Sequence, residues 1–519
     1  MKRPVAHRLL GARHRHIQLF LARSCAPLLT GVAVTVGSVA TASAAEWFFT
    51  PYLGLRQAVT DNANHAPPGQ TKADTYTAIT PGISVSGESD RLNLTLDYSF
   101  TRTQYFDNTD FSDGNHNLLA NGTAELIEDL LYFDARAAIF QQLVDPTGSL
   151  SANSDANASN NNSRTVRTYS LSPYMRNRFG GFADSELRYS FDQTRQGAAG
   201  TQTTNTISET LNSGDDFSRF RWQTDLSAQE SKASDTSAAG TAISGPFGGA
   251  PRDTSRRLAA FSPEYAVSRY LSLLGSVGYE KIEDPTILDE PDGVIGNAGV
   301  RVNPGPRSTF RVLWNHRYND NYWTGDASYL IGPTTRVDFA YTRDLNTSSS
   351  LYGQNLSYLG TDQYGNFIDT RTLTTYQLDN QAFGLTNAAF LQERSSLRLT
   401  TELQRDSFYA EVYHEERKSQ DVLANQDTFG VNLSWTRPIS ELMSLTVGVS
   451  YTDSEFGQVS TASGEPREDQ TVRGGPGLSY AFSETLTGNL NYDFLYRFSN
   501  AAGGDLRENI VTVGVRKTF

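Results

Sequence analysis

The sequence predicts an all-β chain: a single transmembrane antiparallel β-barrel of roughly 22 strands, behind a cleaved signal peptide. Three observations predict it. Apolar and polar residues alternate with period two along most of the chain, turns of a few residues alternate with long polar loops, and an alternating final segment ends on Phe519.

The first 44 residues read as a targeting segment. Lys2, Arg3, Arg8, Arg13, Arg15 and Arg23 form a basic n-region, and Ala26–Ala40 an apolar one. Ala42-Ser43-Ala44 then offers a small-x-small cleavage site before Ala45. The apolar run is shorter than the roughly 20 residues a spanning helix needs, which favours cleavage over anchoring. Residues 45–519 are the expected barrel, placed in a Gram-negative outer membrane after Sec export through the periplasm.

Residues 1–44 hold six of the 44 basic residues and none of the 57 acidic ones, so the remainder carries a net charge of −19. Its one cysteine, Cys25, also lies there, which leaves the barrel no disulfide and no thiolate metal site. The acidic balance argues against nucleic acid as a partner. Mean hydropathy is low. Tyr (25) and Phe (27) nonetheless far outnumber Met (3), as suits strands with aromatic belts whose every second residue faces lipid.

Arg91–Phe106 shows the alternation most cleanly. Leu92, Leu94, Leu96, Tyr98 and Phe100 share one face; Asn93, Thr95, Asp97, Ser99, Thr101 and Thr103 share the other. The pattern returns at Leu187/Tyr189/Phe191, Phe220/Trp222/Leu226, Val337/Phe339/Tyr341, Phe429–Trp435, Leu445–Tyr451 and Leu486–Phe494. A soluble sandwich would alternate equally well. The connections favour the barrel: short turns (such as Gly87–Asp90, Gly305-Pro306 and Ser483-Glu484) alternate with long loops (such as Asp61–Asp74, Asp145–Arg164 and Glu230–Thr254). Transmembrane barrels put the short turns on the periplasmic side and the long loops outside. Hairpins counted this way give roughly 22 strands, within a range of about 16 to 22.

Leu345–Ser395 is the longest irregular connection, with Tyr352, Tyr358, Tyr364, Phe367 and Tyr376 among Gly, Asn and Asp. Two functional readings stand for 345–395: a constriction folded into the lumen, or an extracellular binding surface. An additional surface hairpin is the plain alternative. Asp107–Asn115 is rich in oxygen ligands but lacks the spacing of a calcium loop, and reads as a solvated acidic loop.

Polar-face parity assigns Asp97, Asp134, Arg136, Asp184, Glu186, Arg188, Asp192, Arg221, Asp225, Arg311, Arg317, Arg336 and Asp338 to the lumen. They would give a wet pore with a transverse field, cross-brace a polar interior, or do both. No catalytic, metal or cofactor site is expected. His414-Glu415-Glu416-Arg417-Lys418 begins like a zinc-protease motif but carries Lys418 in place of the second histidine. Parity turns His316 and His414 toward lipid, and the chain reads as a non-enzyme.

Asn509–Phe519 resembles the terminal strand that the barrel assembly machinery reads as polar-x-Gly-x-x-apolar-x-aromatic. Thr512, Gly514 and Phe519 match; Lys517 departs, where an apolar residue is expected. TonB-dependent transporters have a similar strand number but carry a large plug domain before the barrel. Here the first strand, Trp47–Leu55, starts just after the cleavage site, so that class is expected to be excluded.

Thr50–Leu55 with Val59–Asn62, Thr80–Val85, Phe390–Arg394 and Glu415–Arg417 together resemble the outer-membrane β-barrel proteins associated with PEP-CTERM/exosortase systems, over essentially the whole of 45–519. That resemblance implies a barrel linked to exopolysaccharide or surface-protein export, and supplies no catalytic residues. The expected partners are outer-membrane lipid and lipopolysaccharide, the assembly machinery and exopolysaccharide. The expected function is a channel or export accessory; a structural or adhesion barrel binding glycan through its long loops is the alternative.

Overall fold

The computed structural model describes residues 46–519 other than 154–161, 197–199, 235–251, 288–289, 349, 352–357, 362–366, 370–382, 384–387, 420–421 and 461. The expected signal peptide, 1–44, therefore lies outside the described residues, as do Tyr352, Tyr364 and Tyr376.

The alternating segments are strands, each hydrogen-bonded to its neighbours in chain order. They are β1 (Glu46–Thr60), β2 (Asp74–Ser89), β3 (Leu92–Tyr105), β4 (Asp113–Ile127), β5 (Leu131–Leu143), β6 (Ser163–Phe179), β7 (Ala183–Gln196), β8 (Thr201–Ser213), β9 (Phe220–Ser234), β10 (Thr254–Ala266), β11 (Leu271–Glu283) and β12 (Asp292–Gly305). There follow β13 (Ser308–Arg317), β14 (Asp320–Ile331), β15 (Thr335–Asn346), a small pair β16 (Leu359–Thr361) and β17 (Phe367–Asp369), and then β18 (Phe390–Glu402). The series ends with β19 (Ser407–Ser419), β20 (Gln426–Pro438), β21 (Met443–Val459), β22 (Pro466–Ser483), β23 (Leu486–Ser499) and β24 (Leu506–Thr518).

All but β16 and β17 form one 22-stranded sheet. β24 pairs antiparallel with β1, from Tyr52↔Thr518 to Thr60↔Ile510, which closes the barrel and leaves no open edge. The last backbone bond of the seam runs from the Phe519 amide to the Pro51 carbonyl at 2.9 Å. Thr512 is buried on the inner face opposite Ala58, and a Cβ on Gly514 would lie 2.9 Å from Arg56 Cγ and 2.4 Å from Asn489 Oδ1. Lys517 sits at the rim, its ammonium donating to Thr485, so a charge is tolerated where an apolar residue was expected.

The outer face is apolar. Leu53, Leu55 and Val59 of β1, Val277 and Tyr279 of β11, and Val511, Val513 and Val515 of β24 are all exposed. So continuous an apolar surface is a lipid-facing one and removes the soluble sandwich. His316 and His414 lie exposed on that face, paired with Asn321 and Asp427 across their own hairpins.

Two sequence readings need correction. The irregular connection is shorter than 345–395: Leu345 and Asn346 end β15, and Phe390–Ser395 open β18, paired from Asn346↔Phe390 onward. Their polar composition reads as loop because the wall here is polar on its inner side. The long-loop end also holds one tight hairpin. Tyr318-Asn319 joins β13 to β14 with φ of 57° at both residues, the left-handed pair of a two-residue turn.

Candidate functional site

The lumen is not uniform along its axis. On the inner face of β3, Asn93 and Thr95 near the short turns are exposed, whereas Thr101, Thr103 and Tyr105 near the long loops are buried. What covers them is the chain's own loops.

The β1–β2 loop folds inward because its small residues allow close approach. Ala63 packs with Ala58, Tyr76, Ala78, Tyr105 and Ile510. Asn62 secures it, donating to Ala66 O and Arg507 O and accepting from the Ala66 amide, each at 2.9 Å. His65, with φ of 49°, is buried beside this cluster's seam, its Nε2 3.9 Å from Glu508 Oε1. Burial pushes the imidazole down to about 4.

The β5–β6 loop begins Asp145-Pro146-Thr147-Gly148, a strong turn sequence, closed by Gly148 N–H to Asp145 O at 3.1 Å. The turn presents its carbonyls to two arginines of the far wall. Arg497 donates to Gly148 O at 2.7 Å and Pro146 O at 3.4 Å, and Arg467 to Thr147 O at 2.8 Å. Glu508 then receives Ser151 Oγ and the Ala152 amide, both at 2.8 Å, and Thr60 Oγ1 at 2.9 Å. Leu150 fills a cluster with Leu143, Leu495 and Leu506.

The β15–β18 connection travels furthest. Leu359 is buried among Leu119, Ala138, Phe140 and Val166, inner-face residues of β4, β5 and β6. In the ring order those strands lie ten places from β15 one way and eleven from β18 the other. Leu359 is therefore seated across the ring from the strands that its connection joins. Its return is held by Phe383, buried against Tyr413, with Arg417 3.7 Å above its ring. The Ala389 amide donates to Thr286 Oγ1 at 2.9 Å.

The thirteen residues expected in the lumen do not converge on one point. Most are braced within their own strand or to a strand one or two places away. Arg188 bridges Asp134 (2.8 Å) and Glu186 (3.0 Å); Arg178 holds Asp184 (2.8 Å); Arg221 holds Glu264 (2.7 Å). Arg311 pairs with Asp326 (2.6 Å), Arg317 with Glu280 (2.7 Å), and Arg336 with Asp338 (2.8 Å). Asp97 accepts from Tyr52 Oη at 3.0 Å and from Ser84; Asp225 accepts from Thr210 and Gln223. Asp192 lies within the influence of Arg136. Apart from Arg317–Glu280, whose carboxylate is buried, pairs this wet add little stability each, so their effect is on the lumen's field and rigidity.

The deeper groups were missed. Glu280 takes both Arg256 and Arg317, Glu415 takes Gln392, Arg394 and Arg417, and Glu411 takes Arg394, Arg398 and Asn432. Parity alone, applied to β11 and β19, places all three inside. No signal in the sequence shows that Glu508 and Arg497 face loops more than 300 positions away. Among the described residues no group of three or more His, Cys, Asp or Glu is placed to hold a metal ion.

No protein-family model and no curated protein matches the chain. Among solved structures it is similar to two variants of the FrpB iron transporter from Neisseria meningitidis. For the F3-3 variant the TM-score is 0.51 at 10% identity, over 91% of this chain and 81% of that one. For the F5-1 variant it is 0.50 at 12% identity, over 91% and 82%. At such identity the likeness is one of fold: the chain has the architecture of a large outer-membrane β-barrel.

Proposed function

We propose that this chain is an outer-membrane channel, closed at its outer end by its own loops, that serves the export of envelope polysaccharide. The observation that carries the channel reading is the gradient along the inner face: a polar lumen, open toward the short turns and covered by three loops at the other end. Hydroxyl, amide and paired ionic groups line it, as a water-filled path requires. The loop attachments are side-chain contacts rather than strand pairing, so they can be released without breaking the barrel. The polysaccharide cargo rests on the resemblance to the PEP-CTERM/exosortase-associated barrels.

Planar-bilayer recording of the purified, folded barrel tests the channel. Rare, discrete openings in the intact protein and a steady, larger conductance after deletion of 347–389 are expected. No current from either protein at any voltage refutes it. The cargo is tested separately, by whether cells lacking the protein retain polysaccharide in the periplasm.

A further inference from the structure

Between the inner wall of β6–β11 and the two ends of the β15–β18 connection lies a cavity of about 400 Å³. Its lining is unusual for a ligand pocket, which is ordinarily apolar with a few polar groups. Of the eighteen lining residues, twelve are Thr, Ser, Gln or Asn, and none is aromatic.

The three ionisable lining groups are already engaged. Arg256 donates to Glu280 at 2.8 Å, Asp284 accepts from the amide and hydroxyl of Thr286, and Asp192 is held near Arg136 and Ser170. The groups left to meet a ligand are neutral hydroxyls and amides. Several are tied to each other, Thr168 to Thr194 at 3.1 Å and Thr204 to Ser231 at 2.8 Å. Such a pair spends one donor and one acceptor and keeps the rest of its capacity, since each hydroxyl has one proton and two lone pairs.

These side chains form an array of two rows, offset by two residues along β8: Thr168↔Thr194↔Gln202 across β6 to β8, and Thr204↔Ser231↔Thr254 across β8 to β10. Neighbouring strands lie about 4.8 Å apart, which is close to the width of one pyranose ring. A ladder of equivalent donors and acceptors at that interval suits a ligand that repeats hydroxyl groups along its length. An anion would find no uncommitted cation here, and an apolar solute would strip water from a dozen polar side chains with nothing in return.

We propose that this cavity is a binding site for a neutral saccharide segment, held by hydrogen bonds to the hydroxyl ladder and covered by Asn346 at the end of β15 and by Thr347 and Ser350 of the connection that follows. Without an aromatic platform the grip is weak, and rung equivalence lets the segment advance by one ring at a time, as conduction requires. The assignment rests on the channel reading for its use, but the site itself does not need an open pore.

Saturation-transfer NMR on the full-length barrel in detergent, with maltotetraose and cellotetraose as neutral probes and a tetragalacturonate as the anionic one, tests it. Transfer to at least one neutral probe is expected, falling several-fold in Thr204→Val and surviving in Thr204→Ser. Heat-modifiable gel migration reports folding; if Thr204→Val does not fold, Gln229→Leu takes its place with the same expectation. Transfer to neither neutral probe, equal transfer in the hydroxyl-less variant, or preference for the uronate overturns the proposal. Saccharide transfer with no conductance removes the channel and keeps the site; conductance with no transfer does the reverse.

Discussion

Ser151 donates a hydrogen bond to Glu508 across 357 positions of chain, at 2.8 Å, and both residues are buried. That bond ties the β5–β6 loop to the barrel seam. Ser151→Ala removes one of three donors to a buried carboxylate, a loss of about 1–3 kcal/mol. Limited proteolysis should cut within 145–162 roughly five- to a hundredfold faster, by the usual conversion of about 1.4 kcal/mol per decade. An unchanged cutting rate would show that the arginine clamp alone holds the loop.

Leu359→Glu puts a carboxylate into the apolar cluster of Leu119, Ala138, Phe140 and Val166. The connection should leave the far wall, and single-channel conductance should rise while the folded fraction stays the same. Conductance identical to that of the unaltered protein counts against the segment as a constriction.

The β1–β2 loop should loosen in acid. His65 titrates near 4 when buried and near 6.5 when released. Above pH 6.5 both states are neutral and closure has its full stability. As pH falls from 6.5 toward 4 only the released loop takes up a proton, so closure loses up to about 3 kcal/mol. Protection factors over 61–73, with the intrinsic pH dependence of amide exchange divided out, should fall between pH 7 and pH 5, and His65→Gln should flatten that dependence.

Gly430→Ala should destabilise the barrel by about 1–3 kcal/mol. A Cβ there would sit 2.2 Å from Cζ of Tyr413, whose ring also carries Arg394 at 4.2 Å. A lowered urea midpoint, restored in part by Tyr413→Leu, is expected. An unchanged midpoint would mean the ring moves freely.

Phe519→Ala separates assembly from stability. The ring is 71% exposed, and its backbone amide would still reach Pro51. The refolded variant should match the unaltered protein in urea, yet yield less folded barrel in cells. Equal cellular yield would dismiss Phe519 as an assembly signal.

Most of the wall was legible in the sequence, because a strand with one face in lipid and one in water must alternate. Arg91–Phe106 needed only that rule. The thirteen polar-face residues follow from it too, and the same rule extended to Glu411 and Glu415 would have found the densest ionic cluster. The lumen's contents were not legible. Ala63, Leu150 and Leu359 lie in segments whose composition reads as exposed loop, and their partners are set by closure of the ring. The bounds of the 345–395 connection were misjudged for the same reason: Leu345 and Phe390–Ser395 carry wall chemistry, polar on the inner side, that resembles loop.

A ring of 22 strands is a thin hoop, and flattening into an ellipse is the deformation a hoop resists least. Leu359 is seated on one wall and its connection is rooted at β15 and β18 on the other, so one segment of chain ties the two walls. Stretching the ring along that line pulls on the seat of Leu359. Under the proposed channel function, the state of the passage is coupled to the roundness of the barrel, and the lipid around the protein becomes one of the things that set it.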